Sequence, residues 1–169
     1  MVHGLETIKR LNEEATKLNR QLPNGVMQTT PTNCFRACVA TVLNIPIEDV
    51  PEACDGAKWN WIEFQNWLAT KGMQAIELTF GNGGTIYPVV EPVLCILTGK
   101  SPRECTSGLH AVVGYFIGFE GFQLVHDPHP AQTWIDGDPT HATFFIPLIR
   151  SHGDELILKR IASVIHEQA

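Results

Sequence analysis

Four residues of this chain have side chains that could together carry out acyl transfer. They are, in chain order, Gln28, Cys34, His110 and Asp127. A cysteine thiolate attacks carbonyl carbons, and a histidine accepts and returns protons near neutral pH. A carboxylate holds an imidazole in one tautomer, and a glutamine amide can donate a hydrogen bond to an oxyanion. The set predicts Cys34 as nucleophile, His110 as general base and acid, Asp127 as its orienting partner and Gln28 as oxyanion donor.

Each of these residues also has an ordinary structural interpretation. Free cysteines are usually buried structural residues, and a histidine in an apolar run is often a core residue bound to a backbone carbonyl. Asp127 precedes a proline, which is a common turn signal, and Gln28 lies in a threonine-rich loop. Only the combination of the four residues favours catalysis over these alternatives.

The nucleophile is expected at the start of a helix. Residues 34–43 are mostly apolar, which predicts a buried helix that ends near Asn44, just before a proline. We expect Thr32 or Asn33 to cap this helix and to place Cys34 in its first turn. The helix macrodipole favours a thiolate at that position.

Apolar residues at helical spacing predict three further helices, over residues 5–20, 59–70 and 154–167. Short β-rich runs separated by Gly, Pro or Asp predict five strands, over residues 73–80, 93–98, 109–117, 122–125 and 142–148. Helices in the first half and an antiparallel sheet in the second predict an α+β fold. We expect a single domain over residues 1–169.

The predicted hairpin between the third and fourth strands connects two of the candidate residues. A tight turn over residues 118–121 would join these strands. Asp127 would then lie beside His110, on the adjacent antiparallel strand.

Composition narrows the classes of function. Apolar residues make up 44% and charged residues 18%, as in an ordinary globular protein. The formal net charge of -6 disfavours binding to nucleic acid or to an anionic membrane, which requires a basic patch. No apolar run approaches the roughly 18 residues of a membrane span, and the first 21 residues lack an apolar signal-peptide core. Five irregularly spaced cysteines form no disulfide framework, so we expect free thiols and a cytoplasmic location.

The order Gln28, Cys34-x3-Cys38, His110-Ala-Val-Val and Asp127-Pro resembles the papain-like cysteine peptidases, especially the bacterial double-glycine (bacteriocin-processing) peptidases and their stand-alone relatives. The resemblance covers most of the chain. It implies a papain-like fold, in which a helical first half carrying the nucleophile packs on an antiparallel sheet carrying the histidine and the aspartate. It also implies the catalytic roles given above for the four residues.

The chain departs from that family beside the nucleophile. The family usually has glycine after the cysteine, whereas Phe35 and Arg36 follow it here. This difference concerns the shape of the cleft more than the chemistry.

We predict cleavage of a peptide, isopeptide or other amide bond in a peptide or protein substrate, by hydrolysis or by transfer to an amine, without a cofactor or metal. Three tryptophans are candidates for cleft walls, with core packing as the alternative: Trp59, Trp61 and Trp134.

Two other classes of function compete with a thiol hydrolase. Cys34, Cys38, His126 and His129 have zinc-binding side chains, and His110 could complete such a site, although their spacing matches no zinc signature that we know. The chain could also be a binding or inhibitory protein on a papain-like scaffold, with incidental chemistry. The presence of all four catalytic residue types favours the hydrolase.

Overall fold

A computed structural model describes residues 25–56, 58–80, 92–103, 108–118 and 121–148. Within these ranges the chain forms two α-helices, α1 (Cys34–Leu43) and α2 (Trp61–Thr70), and two short 3-10 turns, Ile47–Asp49 and Glu52–Cys54. It also forms five strands: β1 (Met73–Thr79), β2 (Val93–Lys100), β3 (Leu109–Phe116), β4 (Phe122–His126) and β5 (Asp136–Pro147). The helices expected over residues 5–20 and 154–167 lie outside the described residues.

Helix α1 ends where the sequence predicts. Asn44 adopts the left-handed conformation (φ 52°), and its N–H donates to the carbonyl oxygens of Ala40 and Thr41. The N–H of Ile45 also donates to the carbonyl of Ala40, at 3.0 Å. These bonds satisfy carbonyls that the end of a helix leaves without partners, and Pro46 prevents the helix from continuing.

Helix α2 begins at a side-chain cap. The side chain of Asn60, which has an extended backbone, accepts a hydrogen bond from the N–H of Glu63. The helix is followed by Gly72, whose φ of 71° suits glycine. The helix is therefore two residues shorter at its start than the expected span of 59–70.

The five strands form one antiparallel sheet in the order β1-β5-β2-β3-β4. Strands β3 and β4 pair as the predicted hairpin, and the N–H of Ile117 donates to the carbonyl of Gly121 at 2.9 Å. The α+β class is therefore confirmed. Strand β5 lies between β1 and β2, so the last described strand is inserted between two earlier strands and is not added at an edge.

The start of β5 was predicted wrongly. The strand begins at Asp136, not at residue 142, because Gly137 and Pro139 are included in it although both usually mark loops. The pairing with β2 shifts between Thr98 and Lys100, where Asp136 pairs with Lys100. Such a bulge accommodates a proline, which has no N–H to give to the neighbouring strand.

Each face of the sheet carries its own apolar cluster. One cluster joins α1 and α2 to one face and contains Val39, Phe64, Leu68, Ile96 and Val113, with other buried residues. The other cluster contains residues that alternate with these along the strands: Cys95, Leu97, Val112, Phe116 and Ala142. Because α1 packs on the sheet through the first cluster, its N-terminal turn is fixed relative to β3.

No helix in the described part of the chain combines the length and the apolar character that crossing a membrane would require.

Candidate active site

Cys34 is the first residue of α1, and the loop before it is closed by one buried side chain. The side-chain oxygen of Asn33 accepts hydrogen bonds from the N–H groups of Thr29 and Thr30, each at 3.1 Å. Its side-chain nitrogen donates to the hydroxyl of Thr29 at 2.9 Å. Asn33 is the N-cap residue and Cys34 lies in the first turn, as expected, but the side chain of Asn33 makes no bond to the helix. Its amide instead stabilises the preceding loop, which is the usual competition between caps and turns.

The four described cysteines differ in exposure. Cys34 is half-buried, whereas Cys38, Cys54 and Cys95 are buried. Burial raises the pKa of the Cys38 thiol well above its ordinary value, and the nearby Cys34 and Asp127 raise it further. Burial also raises the pKa of Cys54 to about 12, against an opposing effect of Arg36. Cys34 is thus the described thiol best placed to meet a substrate.

His110 and Asp127 form a buried pair at the ends of two neighbouring strands. His110 lies near the start of β3, and Asp127 directly follows β4. The Nε2–H of His110 donates to Oδ1 of Asp127 at 2.7 Å, and 3% of the histidine side chain is exposed. An ionised carboxylate only accepts hydrogen bonds, so the proton of the neutral imidazole is on Nε2 and the lone pair is on Nδ1.

Asp127 receives two further hydrogen bonds from the loop that follows it. The N–H of His129 donates to Oδ1 at 2.8 Å, and the N–H of Trp134 donates to Oδ2 at 2.7 Å. Trp134 has a φ of 59° and Gln132 a φ of 47°, a conformation that L-residues seldom adopt. The backbone of this loop is strained at the two residues, and the same loop supplies the N–H donors to the carboxylate. Strained backbone of this kind is common at functional sites.

The pKa values of the pair favour a neutral histidine beside an ionised aspartate. Burial lowers the pKa of His110, and the hydrogen bond and charge of Asp127 oppose this effect without reversing it. Burial alone would raise the pKa of Asp127. The hydrogen bonds from His129, His110 and Trp134 outweigh burial and hold this pKa below its ordinary value. The neutral imidazole can therefore act as a base at neutral pH.

A cavity of about 310 Å³ joins the cysteine and the histidine. Cys34 lines it from the first turn of α1, and His110 lines it from β3. The remaining described lining residues are Thr32, Phe35, Cys54, Gly56, Trp59, Glu77, Thr98, Leu109, Ala111 and His141. The nucleophile and the base predicted from the sequence therefore face one common space, which lies at the lower end of the usual size range for ligand pockets.

Gln28 lies outside the described lining of this cavity. Its side-chain nitrogen donates to the carbonyl of Thr30 at 3.0 Å, and its side-chain oxygen is buried without a hydrogen-bond partner. Its backbone N–H donates to the carbonyl of Pro128, at 2.9 Å. Gln28 is thus next to the segment that holds Asp127, and its role as oxyanion donor stays a prediction.

A second contact ties the loop before the nucleophile to the end of β4. The Nε2–H of His126 donates to the carbonyl of Val26 at 3.0 Å. The backbone of Gly25 lies so close to the same imidazole that a Cβ atom there would be 2.3 Å from its Nδ1. Only glycine fits this position, so the loop packs directly on the strand end that precedes Asp127.

The residues of the zinc alternative are not assembled into a site. Cys34, Cys38, His126 and His129 all lie in the described ranges, and no three His, Cys, Asp or Glu residues of those ranges are arranged to hold a metal ion. His126 instead donates to Val26, as described above.

The three candidate tryptophans have different surroundings. Trp59 lines the cavity and is 43% exposed. Trp61 packs against the cluster between the helices and the sheet, and Trp134 packs against the cluster on the opposite face. Only Trp59 is a wall of the described cavity.

The far wall of the cavity comes from residues that the sequence did not single out. Glu77 lies on β1, Thr98 on β2 and His141 on β5. No motif marks them, because their proximity depends on the insertion of β5 between β1 and β2.

Comparison with protein-family models, curated proteins and solved structures found no match to this chain.

Proposed function

We propose that the protein is a papain-like thiol hydrolase that cleaves a peptide, isopeptide or other amide bond through a thioester on Cys34. The observation that carries the proposal is the buried His110–Asp127 pair, with Nε2 and Oδ1 2.7 Å apart, whose imidazole lines the same cavity as Cys34. A nucleophile, a base and an orienting carboxylate on separate elements are the parts that covalent catalysis by a thiol requires.

In the proposed first half-reaction, Nδ1 of His110 takes the thiol proton as the sulfur of Cys34 attacks the carbonyl carbon. The tetrahedral intermediate carries its negative charge on oxygen, where the N–H of Cys34 and the amide of Gln28 are the proposed donors. The C–N bond then breaks, and His110 gives its proton to the leaving amine. The product of this half-reaction is a thioester.

In the second half-reaction, His110 removes a proton from water, and the resulting hydroxide attacks the thioester carbon. The C–S bond breaks, the acid product leaves, and His110 returns the proton to the sulfur of Cys34. An amine in place of water would give an acyl transferase by the same steps. Asp127 stabilises the imidazolium in both halves and keeps its proton on Nε2.

The motif resemblance to the double-glycine peptidases supports a peptide or protein as the substrate. Phe35 lines the cavity directly beside the nucleophile, where that family usually has glycine. The proposed substrate therefore need not have a double-glycine sequence. The proposed reaction needs no cofactor, and the cytoplasmic location expected from the sequence would keep the thiol reduced.

Trapping the acyl-enzyme tests the proposal. A library of peptide, isopeptide and simple amide substrates is incubated with the protein, and the intact protein is analysed by mass spectrometry after acid quenching. We expect an added acyl mass on Cys34 that hydroxylamine removes, because thioesters react with it. Cys38→Ala is the matched control on the same helix, and it should keep the adduct.

Alkylation gives a second readout that needs no substrate. Iodoacetamide at neutral pH should modify Cys34 at least about 10²-fold faster than Cys38, Cys54 or Cys95, since burial raises the pKa of those three thiols. Turnover that persists in Cys34→Ala would show the thiol mechanism to be wrong. A protein whose Cys34 stays inert to both reagents would favour the binding or inhibitory alternative.

A further inference from the structure

The lining of the cavity extends across four strands of the sheet, from His110 on β3 to Glu77 on β1. The four strands β1, β5, β2 and β3 are neighbours in that order, and each contributes one polar residue to the cavity wall. These residues are, in the same order, Glu77, His141, Thr98 and His110. Adjacent strands lie about 4.8 Å apart, so the strand of Glu77 is about 14 Å from the strand of His110. An extended peptide rises about 3.3 Å per residue and would cover that distance with about four residues.

The charge at the far end of the cavity is negative. Among the described lining residues, Glu77 is the one carboxylate, and none is a lysine or an arginine. The hydroxyl of Thr143 donates to Glu77 Oε2 at 3.4 Å, and Glu77 forms no ion pair with another described residue. A positively charged group of a substrate would therefore find a carboxylate there that no cation of the described chain neutralises.

The wall beside the nucleophile is aromatic. Phe35 and Trp59 meet edge to face with ring centroids 4.9 Å apart, and both line the cavity. Leu109, which is 42% exposed, adds an apolar surface next to His110. Aromatic and aliphatic surfaces accept the methylene stems of long basic side chains, while the charged end of such a side chain needs an anionic partner.

We propose that Glu77 is a specificity residue, which selects peptide substrates that carry lysine or arginine about four residues from the scissile bond. The proposal rests on the proposed thiol hydrolase function, because it assigns the substrate class of the same site. The Glu77 carboxylate pairs with the cationic end of the substrate side chain, and the extended peptide between them runs along the cavity toward Cys34.

A lysine scan with electrophilic peptides tests this proposal. In each probe, a carbonyl-activated double bond replaces the scissile amide, and one lysine is placed one to four residues away on either side. Matched probes carry norleucine at the same position. We expect the best lysine probe, with lysine three or four residues away, to alkylate Cys34 about two- to fivefold faster than its norleucine partner, as for a solvent-exposed ion pair. The advantage should shrink as salt is added.

Two variants that each remove one negative charge distinguish a specific contact with Glu77 from the effect of the protein's overall charge. Glu77→Gln should bring the ratio of lysine to norleucine rates close to one. Glu48→Gln removes an exposed carboxylate outside the described cavity lining and should leave the ratio at its wild-type value. Equal rates for both probes on the wild-type protein, or a ratio that survives Glu77→Gln, would overturn the proposal.

A measurement of peptide binding to a variant that lacks the Cys34 thiol distinguishes failure of this proposal from failure of the proposed function. The same lysine and norleucine peptides, made with an ordinary amide, are titrated into Cys34→Ala, with the tryptophan fluorescence of the protein, to which Trp59 in the cavity contributes, as the signal. Tighter binding of the lysine peptide, abolished by adding Glu77→Gln, supports the specificity role even if no probe labels Cys34. Equal binding of the two peptides contradicts it even if Cys34 proves to be the nucleophile.

Discussion

The two sides of the candidate active site are held in different ways. On the side of the base, Asp127 accepts hydrogen bonds from His110, His129 and Trp134, at 2.7 to 2.8 Å. On the side of the predicted oxyanion donor, the amide nitrogen of Gln28 bonds to the carbonyl of Thr30, and its buried oxygen has no partner.

If the proposed mechanism is right, the parts needed for proton transfer are formed before substrate binds, whereas Gln28 has to give up its bond to Thr30 before it can donate to an oxyanion. A preorganised group stabilises a transition state without rearrangement, and a group that must first break another bond contributes less. Hydrogen bonds of catalytic groups often tighten only when substrate is present. Variants on each side of the candidate site test this difference.

The largest expected effect lies on the side of proton transfer. Cys34→Ala and His110→Ala should each lower kcat by at least about 10³-fold, and the double variant should be hardly worse, because the two residues act as one unit. Asp127→Asn should retain more activity than either single variant, since it orients the base and transfers no proton. Steady-state kinetics on the substrate found by acyl-enzyme trapping measures these losses, and circular dichroism checks folding. A double variant whose loss equals the product of the two single losses would mean that the residues act independently.

The next largest effect concerns the oxyanion side. If Gln28 is recruited to the oxyanion, Gln28→Ala should lower kcat by about 10²–10³-fold and change KM little, because the negative charge exists only in the transition state. Gln123→Ala is the matched control, since it removes the other described glutamine whose buried side-chain oxygen has no partner. Wild-type kcat in Gln28→Ala would assign the oxyanion to other donors.

A smaller effect is expected in the dependence of stability on pH. The folded protein lowers the pKa of His110, mainly by burial, so the unfolded chain binds the proton more readily. The free energy of unfolding should therefore fall as the pH decreases from about 6.5 toward the lowered pKa, by at most about 1.4 kcal/mol per pH unit. Urea unfolding between pH 7 and pH 5 measures this slope. His110→Gln should flatten it, and an unchanged slope in that variant would assign the dependence to another group.

The smallest effect tests the strained loop that supplies Asp127 with donors. Gln132 is exposed, has a φ of 47°, and donates its backbone N–H to the carbonyl of His129. Gln132→Gly should raise the free energy of unfolding by about 0.5–1 kcal/mol, because glycine adopts this conformation without strain. Gln132→Ala shortens the side chain but keeps the strain, so it should give no gain. Equal thermal stability of the two variants would contradict this account.

Local sequence signals predicted the parts of the site that depend on neighbouring residues. The apolar run of α1 and its end at Asn44 follow from helix periodicity and from a proline two residues later. The short glycine-flanked turn between β3 and β4 predicted the hairpin that brings Asp127 to His110. Both features are set within about twenty residues of chain.

Features that depend on the whole sheet could not be read from the sequence. Glu77 and His141 line the cavity only because β5 lies between β1 and β2, and strand order leaves no local signal. The same holds for Pro139, which is tolerated because β5 itself bulges where its pairing with β2 shifts register. Asparagine is a common helix-cap residue, but the path of the preceding loop directs the side chain of Asn33 to the N–H groups of Thr29 and Thr30.

The contact between Val26 and His126 joins residues that are 100 positions apart. Ribosomes add about 5–20 residues per second, so Cys34 is synthesised about 5–20 s before Asp127. For most of that time the chain contains neither the proposed base, His110, nor the strand end on which the loop before Cys34 packs. Contacts between distant residues also form late in folding. If the proposed function is right, we therefore expect the nascent chain to lack hydrolase activity until β4 is in place.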